Sequence, residues 1–133
     1  MSVFSVEPGR LFVYGTLMPG EALWPALAPY ARSWTAATAP GALWDTGLGF
    51  PCVRFDPAAA GVPGVLVDLD PARVAEALET LDRIEDEGRL YRRVVVATSG
   101  GPALAYEWLG GTDGMRPLPA GWPGTRRPRH GTV

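Results

Sequence analysis

The chain has one cysteine, one histidine and no lysine. Each shortage closes off a kind of chemistry. Cys52, being alone, cannot form a disulfide within the chain, and Cys52 with His130 cannot assemble a zinc site of the Cys/His type. Any Ser/His/Asp or Cys/His catalytic arrangement would have to use His130, at the far C-terminal end of the sequence. All twelve basic residues are arginine, so no lysine can act as base or Schiff-base former. Cys52, next to Pro51, reads as a small buried hydrophobe with no neighbour to activate it as a nucleophile. No apolar run approaches the length of a membrane span. The opening MSVFSVEPGR has neither the basic start nor the long apolar core of a signal peptide. These absences lead us to expect a soluble, cytoplasmic protein with no membrane partner. A formal net charge of −2 argues against nucleic-acid binding through a basic surface. The exception is Arg126, Arg127 and Arg129 beside His130, expected as a flexible tail, with contact to a phosphate or an acidic partner as the alternative.

What is present fits a single globular domain: 133 residues, 47% hydrophobic and 20% charged, long enough to bury about two-thirds of its unfolded surface. Seventeen glycines and fourteen prolines predict short elements and many turns. The run Leu11–Tyr14 is a buried strand that meets Gly15, Thr16 and then Pro19-Gly20, so it delivers backbone into a tight loop. Glu21–Tyr30 has helical apolar spacing that Pro25 and Pro29 restrict to a turn or a short helix. Ser33–Ala39, Ala42–Trp44, Phe50–Phe55, Gly61–Asp70, Tyr91–Thr98 and Ala103–Leu109 read as strands, the last two as a hairpin. The one clear helix runs from Pro71 to about Ile84, capped by Asp70 with proline at its first position. Val74, Ala77, Leu78, Leu81 and Ile84 fall on one of its faces. Residues 1–9 read as a short lead-in. Strands outnumber helices and their connections are short, which predicts an α+β fold: a small mixed, largely antiparallel sheet curled into a barrel-like shape with one main helix. The domain is expected over residues 1–112, with a Gly/Pro/Arg-rich, extended or disordered tail over 113–133.

Two places carry candidate chemistry. Gly15-Thr16-Leu17 follows a strand and is neither a dinucleotide fingerprint nor a P-loop. It is an ordinary turn or a set of main-chain N–H donors for an anion or a carbonyl oxygen. LDRIEDEG offers Asp82, Glu85, Asp86 and Glu87. Acids at a helix C-terminus oppose the helix dipole and commonly form a solvated face. Glu85, flanked by Leu81 and Ile84, lies at the apolar boundary, where desolvation would raise its pKa toward that of a base working near neutrality. Tyr91 and Tyr106 either line a cleft or pack across the hairpin.

Taken jointly, VYGTLMPG (13–20), PGALWDTGLGFP (40–51), GVPGVLVDLD (61–70) and LDRIEDEGRLYRRVVV (81–96) resemble, in order and spacing, the γ-glutamylcyclotransferase family in its AIG2-like branch, over about residues 10–110. The resemblance implies a small barrel-like mixed sheet and intramolecular aminolysis. The α-amino group of a small-molecule γ-glutamyl substrate attacks its own γ-carbonyl, giving 5-oxoproline and a free amine, with no cofactor and no metal. By the same resemblance Tyr14, Gly15, Thr16 and Leu17 hold the glutamyl group, Tyr91 borders the pocket and Glu85 moves the proton. The family commonly has glycine directly after this glutamate. Here Asp86 and Glu87 intervene before Gly88, so counting forward from Leu81-Asp82 selects Glu85 and counting back from Gly88 selects Glu87. The helix register favours Glu85. A catalytically silent carboxylate-binding module on the same fold, or an interaction protein recruited through the tail, is the alternative.

Overall fold

The computed structural model describes residues 9–123 and the backbone of residues 130–132. Most of the lead-in, and the arginines at 126, 127 and 129, lie outside the described residues. Strand β1 (Arg10–Val13) is followed by a loop, a one-turn helix α1 (Trp24–Leu27) and a 3-10 turn over Ala28–Tyr30. Then come β2 (Ala31–Asp45), β3 (Pro51–Phe55), β4 (Gly61–Leu69), a 3-10 turn at Pro71–Arg73, α2 (Val74–Ile84), β5 (Tyr91–Thr98), β6 (Gly101–Trp108), β7 (Arg116–Pro117) and β8 (His130–Thr132). The hydrogen-bonded order is β3-β2-β4-β1-β6-β5, with β7 and β8 paired to β2. Only β1 and β6 run parallel; the other pairings are antiparallel.

The expected fold class is the one observed: a mixed, mainly antiparallel sheet nearly closed into a barrel, with helices against it. The ends of the sheet are joined at two points. Phe55 donates its backbone N–H to Glu107 Oε2 at 2.9 Å, which links β3 to β6. Ser99, in the β5–β6 turn, donates its N–H to the Thr38 carbonyl (2.9 Å) and accepts the Thr38 N–H at its hydroxyl (3.0 Å).

Strand alternation explains why Leu11–Tyr14 is apolar throughout. Side chains point alternately to opposite faces of a strand, and both faces here are covered. Phe12 and Tyr14 join Leu66, Ala103 and Ala105 in the barrel interior. Leu11 and Val13 join Val65, Val67, Leu104 and Tyr106 on the other face, where Leu78 and Leu81 of α2 pack. Asp70 caps the start of the helical segment by accepting the Ala72 N–H at 3.0 Å. The helix itself begins only at Val74, after the 3-10 turn.

Two expected strands, Ser33–Ala39 and Ala42–Trp44, are one continuous element. β2 pairs with β4 through Pro40 and with β3 from Gly41 onward. Pro40-Gly41 reads as a break because proline cannot donate to a ladder. In the barrel it marks the point where β2 exchanges partners. The residues after 112 were expected as an extended or disordered tail. Where described, they lie along the barrel: Arg116–Pro117 pairs with Trp44 and Asp45, Leu118 is buried in the interior cluster, and β8 pairs with Ser33–Thr35.

Candidate active site

A cavity of about 220 Å³ opens where β1 runs into its loop. Its floor is buried and includes Val13, Tyr14, Gly15, Leu17, Pro51, Tyr91 and Tyr106; its rim includes Thr16, Leu23, Phe50, Ile84, Glu85 and Leu90. Every residue singled out in the sequence as a site candidate, Tyr14, Gly15, Thr16, Leu17, Glu85 and Tyr91, lines this one cavity.

The loop is held from within. Met18 donates its N–H to the Gly15 carbonyl (3.0 Å), and Leu23 donates to the Thr16 carbonyl (2.8 Å). Among the described residues, the N–H groups of Gly15, Thr16 and Leu17 have no acceptor. Three consecutive amides without partners beside a cavity are suited to an anion or a developing oxyanion. Gly15 is glycine because of a close approach. A Cβ there would lie 2.4 Å from Pro51 Cγ and 2.7 Å from Pro51 Cδ.

Pro51 is delivered by a turn that its own side chains hold. Thr46 donates its hydroxyl to the Phe50 carbonyl at 2.6 Å. Gly47 N–H reaches Asp45 Oδ1 at 2.8 Å, and Leu48 N–H reaches the Thr46 hydroxyl at 3.2 Å. Gly47 (φ 81°) and Gly49 (φ 95°) take the left-handed conformations that the turn needs. The tyrosines of the floor are tied down as well. Tyr14 donates its hydroxyl to the Tyr106 carbonyl, and Tyr91 donates to the Pro51 carbonyl at 2.9 Å. Burial raises the pKa of both phenols well above the ordinary value, so each stays a neutral donor. Both expectations for Tyr91 and Tyr106 hold together: they line the cavity and pack in the hairpin, where Tyr91 meets Trp108 edge-on at 5.2 Å.

Glu85 is the C-cap residue of α2 and the only charged residue lining the cavity. Among the described residues, no hydrogen bond or ion pair engages its carboxylate. Burial pushes its pKa up from 4.5 to about 7. The other acids of the cluster are placed differently. Asp82 accepts from Tyr106 Oη (2.7 Å) and pairs with Arg93 (2.5 Å). Asp86 pairs with Arg89 at 3.7 Å. Glu87 is exposed and accepts the Arg93 N–H at 3.3 Å; it does not line the cavity. The backbone explains the two intervening residues. Asp86 N–H bonds to the Arg83 carbonyl and Glu87 N–H to the Asp82 carbonyl, the pair of bonds that closes a helix with a left-handed residue just past its C-cap. Asp86, at φ 52°, is that residue. It occupies the place a glycine directly after Glu85 would take, which fixes Glu85 as the helix-end glutamate.

Sequence reasoning did not select Phe50, Pro51, Leu23, Ile84 or Leu90 for the cavity. The pairing of Gly15 with Pro51 was open to discovery only as two turn signals separated by about the length of β2. Cys52 is fully buried, contacts Met115 Sδ at 3.5 Å, and its thiol is pushed up to about 11 by burial, as expected of an inert core residue. Among the described residues no group of His, Cys, Asp or Glu is placed to hold a metal ion, and no helix is long and apolar enough to cross a membrane.

A nearly closed mixed barrel with a loop-and-carboxylate cavity at the end of its first strand defines a fold class shared with several solved structures. An uncharacterized protein from Pyrococcus horikoshii is 24% identical, with a TM-score of 0.62 over 84% of this chain and 86% of that one. A uropathogenic E. coli-specific protein is 23% identical (TM-score 0.59, 84% and 88% covered), and an AIG2-like protein from Mus musculus 17% identical (TM-score 0.61, 78% and 79% covered). No curated protein sequence matches the chain. The chain belongs to the family described as gamma-glutamyl cyclotransferase, AIG2-like, whose family model matches residues 11–122.

Proposed function

We propose that the protein cyclises a γ-glutamyl amide to 5-oxoproline and releases the free amine, with Glu85 as the general acid/base. The observation that carries this reading is one cavity holding both a carboxyl with a pKa near 7 and the unpartnered amides of Gly15–Leu17. A base must be largely ionised at the working pH and still hold a proton well enough to pass it on. Desolvation gives Glu85 that balance. The loop amides would hold the glutamyl carboxylate and the carbonyl oxygen as it gains negative charge. The substrate's α-amino nitrogen attacks the γ-carbonyl carbon, and its proton goes to Glu85. The tetrahedral centre then collapses, the bond to the departing nitrogen breaks, and the Glu85 proton passes to that nitrogen. No water is consumed, so atoms balance between one amide and two products. Tyr14 and Tyr91, neutral and already hydrogen-bonded, would shape the floor rather than exchange protons.

The test is release of 5-oxoproline from γ-glutamyl amides, followed by chromatography and mass spectrometry. Glu85→Gln keeps the shape and removes the base, and a general base contributes about 10²–10⁴-fold, so turnover should fall by that factor. Turnover by wild type should rise with pH through about 7 as Glu85 ionises. A Glu85→Gln variant as fast as wild type would show that the base lies elsewhere.

A further inference from the structure

The amine half of the substrate has its own recognition surface. The floor accounts for the glutamyl group, and the rim is what remains to meet the leaving amine. Leu23, Phe50, Ile84 and Leu90 make that rim apolar on several sides. Ile84 and Leu90 are also two of the four most exposed large hydrophobic side chains among the described residues, at 37% and 42%. Leu48, at 74%, stands in the turn that carries Phe50. Such side chains gathered around an opening, rather than scattered, mark a surface that is covered when something binds. The rim also lacks a charge. No arginine lines the cavity, and Arg89, on the same turn as Leu90, is paired with Asp86.

From this geometry we infer that the leaving group is an apolar, uncharged amine, an alkyl or aryl amine rather than an amino acid or peptide. The inference rests on the cyclotransfer reading above. A carboxylate on the carbon next to the departing nitrogen would be drawn out of water onto leucine, isoleucine and phenylalanine with no cation to receive it, beside the carboxylate of Glu85. An unpaired charge in such a place is costly. An alkyl chain gains from the same surface. Ile84 and Leu90 bracket Glu85 in the sequence, so the turn that positions the base also presents the selecting side chains.

The experiment compares matched substrates with the intact protein. γ-Glutamylbutylamide and γ-glutamylnorvaline differ only by a carboxylate beside the departing nitrogen, and the 4-aminobutyl amide adds a distal ammonium. The butylamide should show kcat/KM at least about tenfold above either charged analogue, the scale on which apolar pockets discriminate. In Leu90→Arg, at an exposed position where a thermal melt can verify folding, kcat/KM should rise for the norvaline compound and fall for the butylamide. If the norvaline or aminobutyl compound matches the butylamide in wild type, the inference is wrong while cyclotransfer stands. If no γ-glutamyl compound releases 5-oxoproline, cyclotransfer fails and takes the inference with it.

Discussion

Glu85 is a residue whose usefulness to a base is set against stability. Its folded pKa, about 7, lies above the ordinary 4.5. As pH rises from 4.5, the unfolded chain loses this proton while the folded protein keeps it. Unfolding therefore releases a proton, and stability falls with pH across the window from about 4.5 to 7, then levels off. Glu85→Gln removes the titration, so its stability relative to wild type should grow across that window. The gain should reach about 1–3 kcal/mol above pH 7, read from urea unfolding at pH 5 and pH 8. An equal offset at both values would mean the carboxyl is solvated. Gly15 is a second point of exposure, through space rather than charge. An added methyl 2.4 Å from Pro51 Cγ must push apart the loop and the turn that form two walls of the cavity. Gly15→Ala should cost about 1–3 kcal/mol by overpacking and lower kcat/KM by about 10²-fold through misplacement, in denaturation and 5-oxoproline assays. The residues of this cavity were legible in unequal measure. Glu85 shows in the sequence because helical spacing places it at the apolar boundary. Pro51 does not, because its role is a contact with a glycine distant in the chain.

At the scale of elements, the end of α2 sets where the base sits. The helix stops because the chain turns left-handed at Asp86, φ 52°, a conformation that costs a residue with a side chain more than glycine. Aspartate is among the better tolerated residues there, and the pairing with Arg89 at 3.7 Å is too exposed to add much. Asp86→Gly should therefore change stability by less than about 1 kcal/mol, relief of strain being offset by the freer unfolded chain. A β-branched residue has no such tolerance. Asp86→Val should destabilise by about 1–3 kcal/mol and reduce activity with it, since Glu85 is the preceding residue. Thermal melts and turnover of the two variants provide the comparison, and equal melting temperatures would show that the left-handed turn carries no strain. The helix and most strands were readable because each has one strong period. The exception is β2, where local chemistry misleads: Pro40-Gly41 has the composition of a turn, yet a ladder that changes partner there needs no continuous donor row. The 3-10 turn before α2 was hidden for a similar reason, since a good cap with proline after it is compatible with either kind of helix.

The whole molecule depends on closure, which no local pattern announces. A curled sheet was expected from short connections and strand count, but the two joins that close it involve residues with no common motif. Nor did the tail advertise its docking. Met115, Leu118 and Trp122 are too sparse to form a period, yet Leu118 donates its N–H to the Leu43 carbonyl at 2.8 Å and Trp122 Nε1 donates to Glu21 Oε1 at 3.2 Å. The join between Phe55 and Glu107 can be tested alone. Glu107 accepts the Phe55 N–H at 2.9 Å, does not line the cavity, and lies on β6, where its neighbour Tyr106 receives the Tyr14 hydroxyl through its carbonyl. Glu107→Ala leaves a partly buried N–H without an acceptor, which costs about 1–3 kcal/mol, whereas Glu107→Gln keeps an acceptor and should lose less. Hydrogen exchange locates the effect. The Phe55 amide should lose protection in Glu107→Ala well before the amides of β1 and β4, because opening this join frees the edge of β3 without disturbing the interior ladder. If β1 and β4 lose protection together with Phe55, the barrel opens as one unit and Glu107 acts on global stability instead. Unchanged protection at Phe55 would remove this bond from the closure.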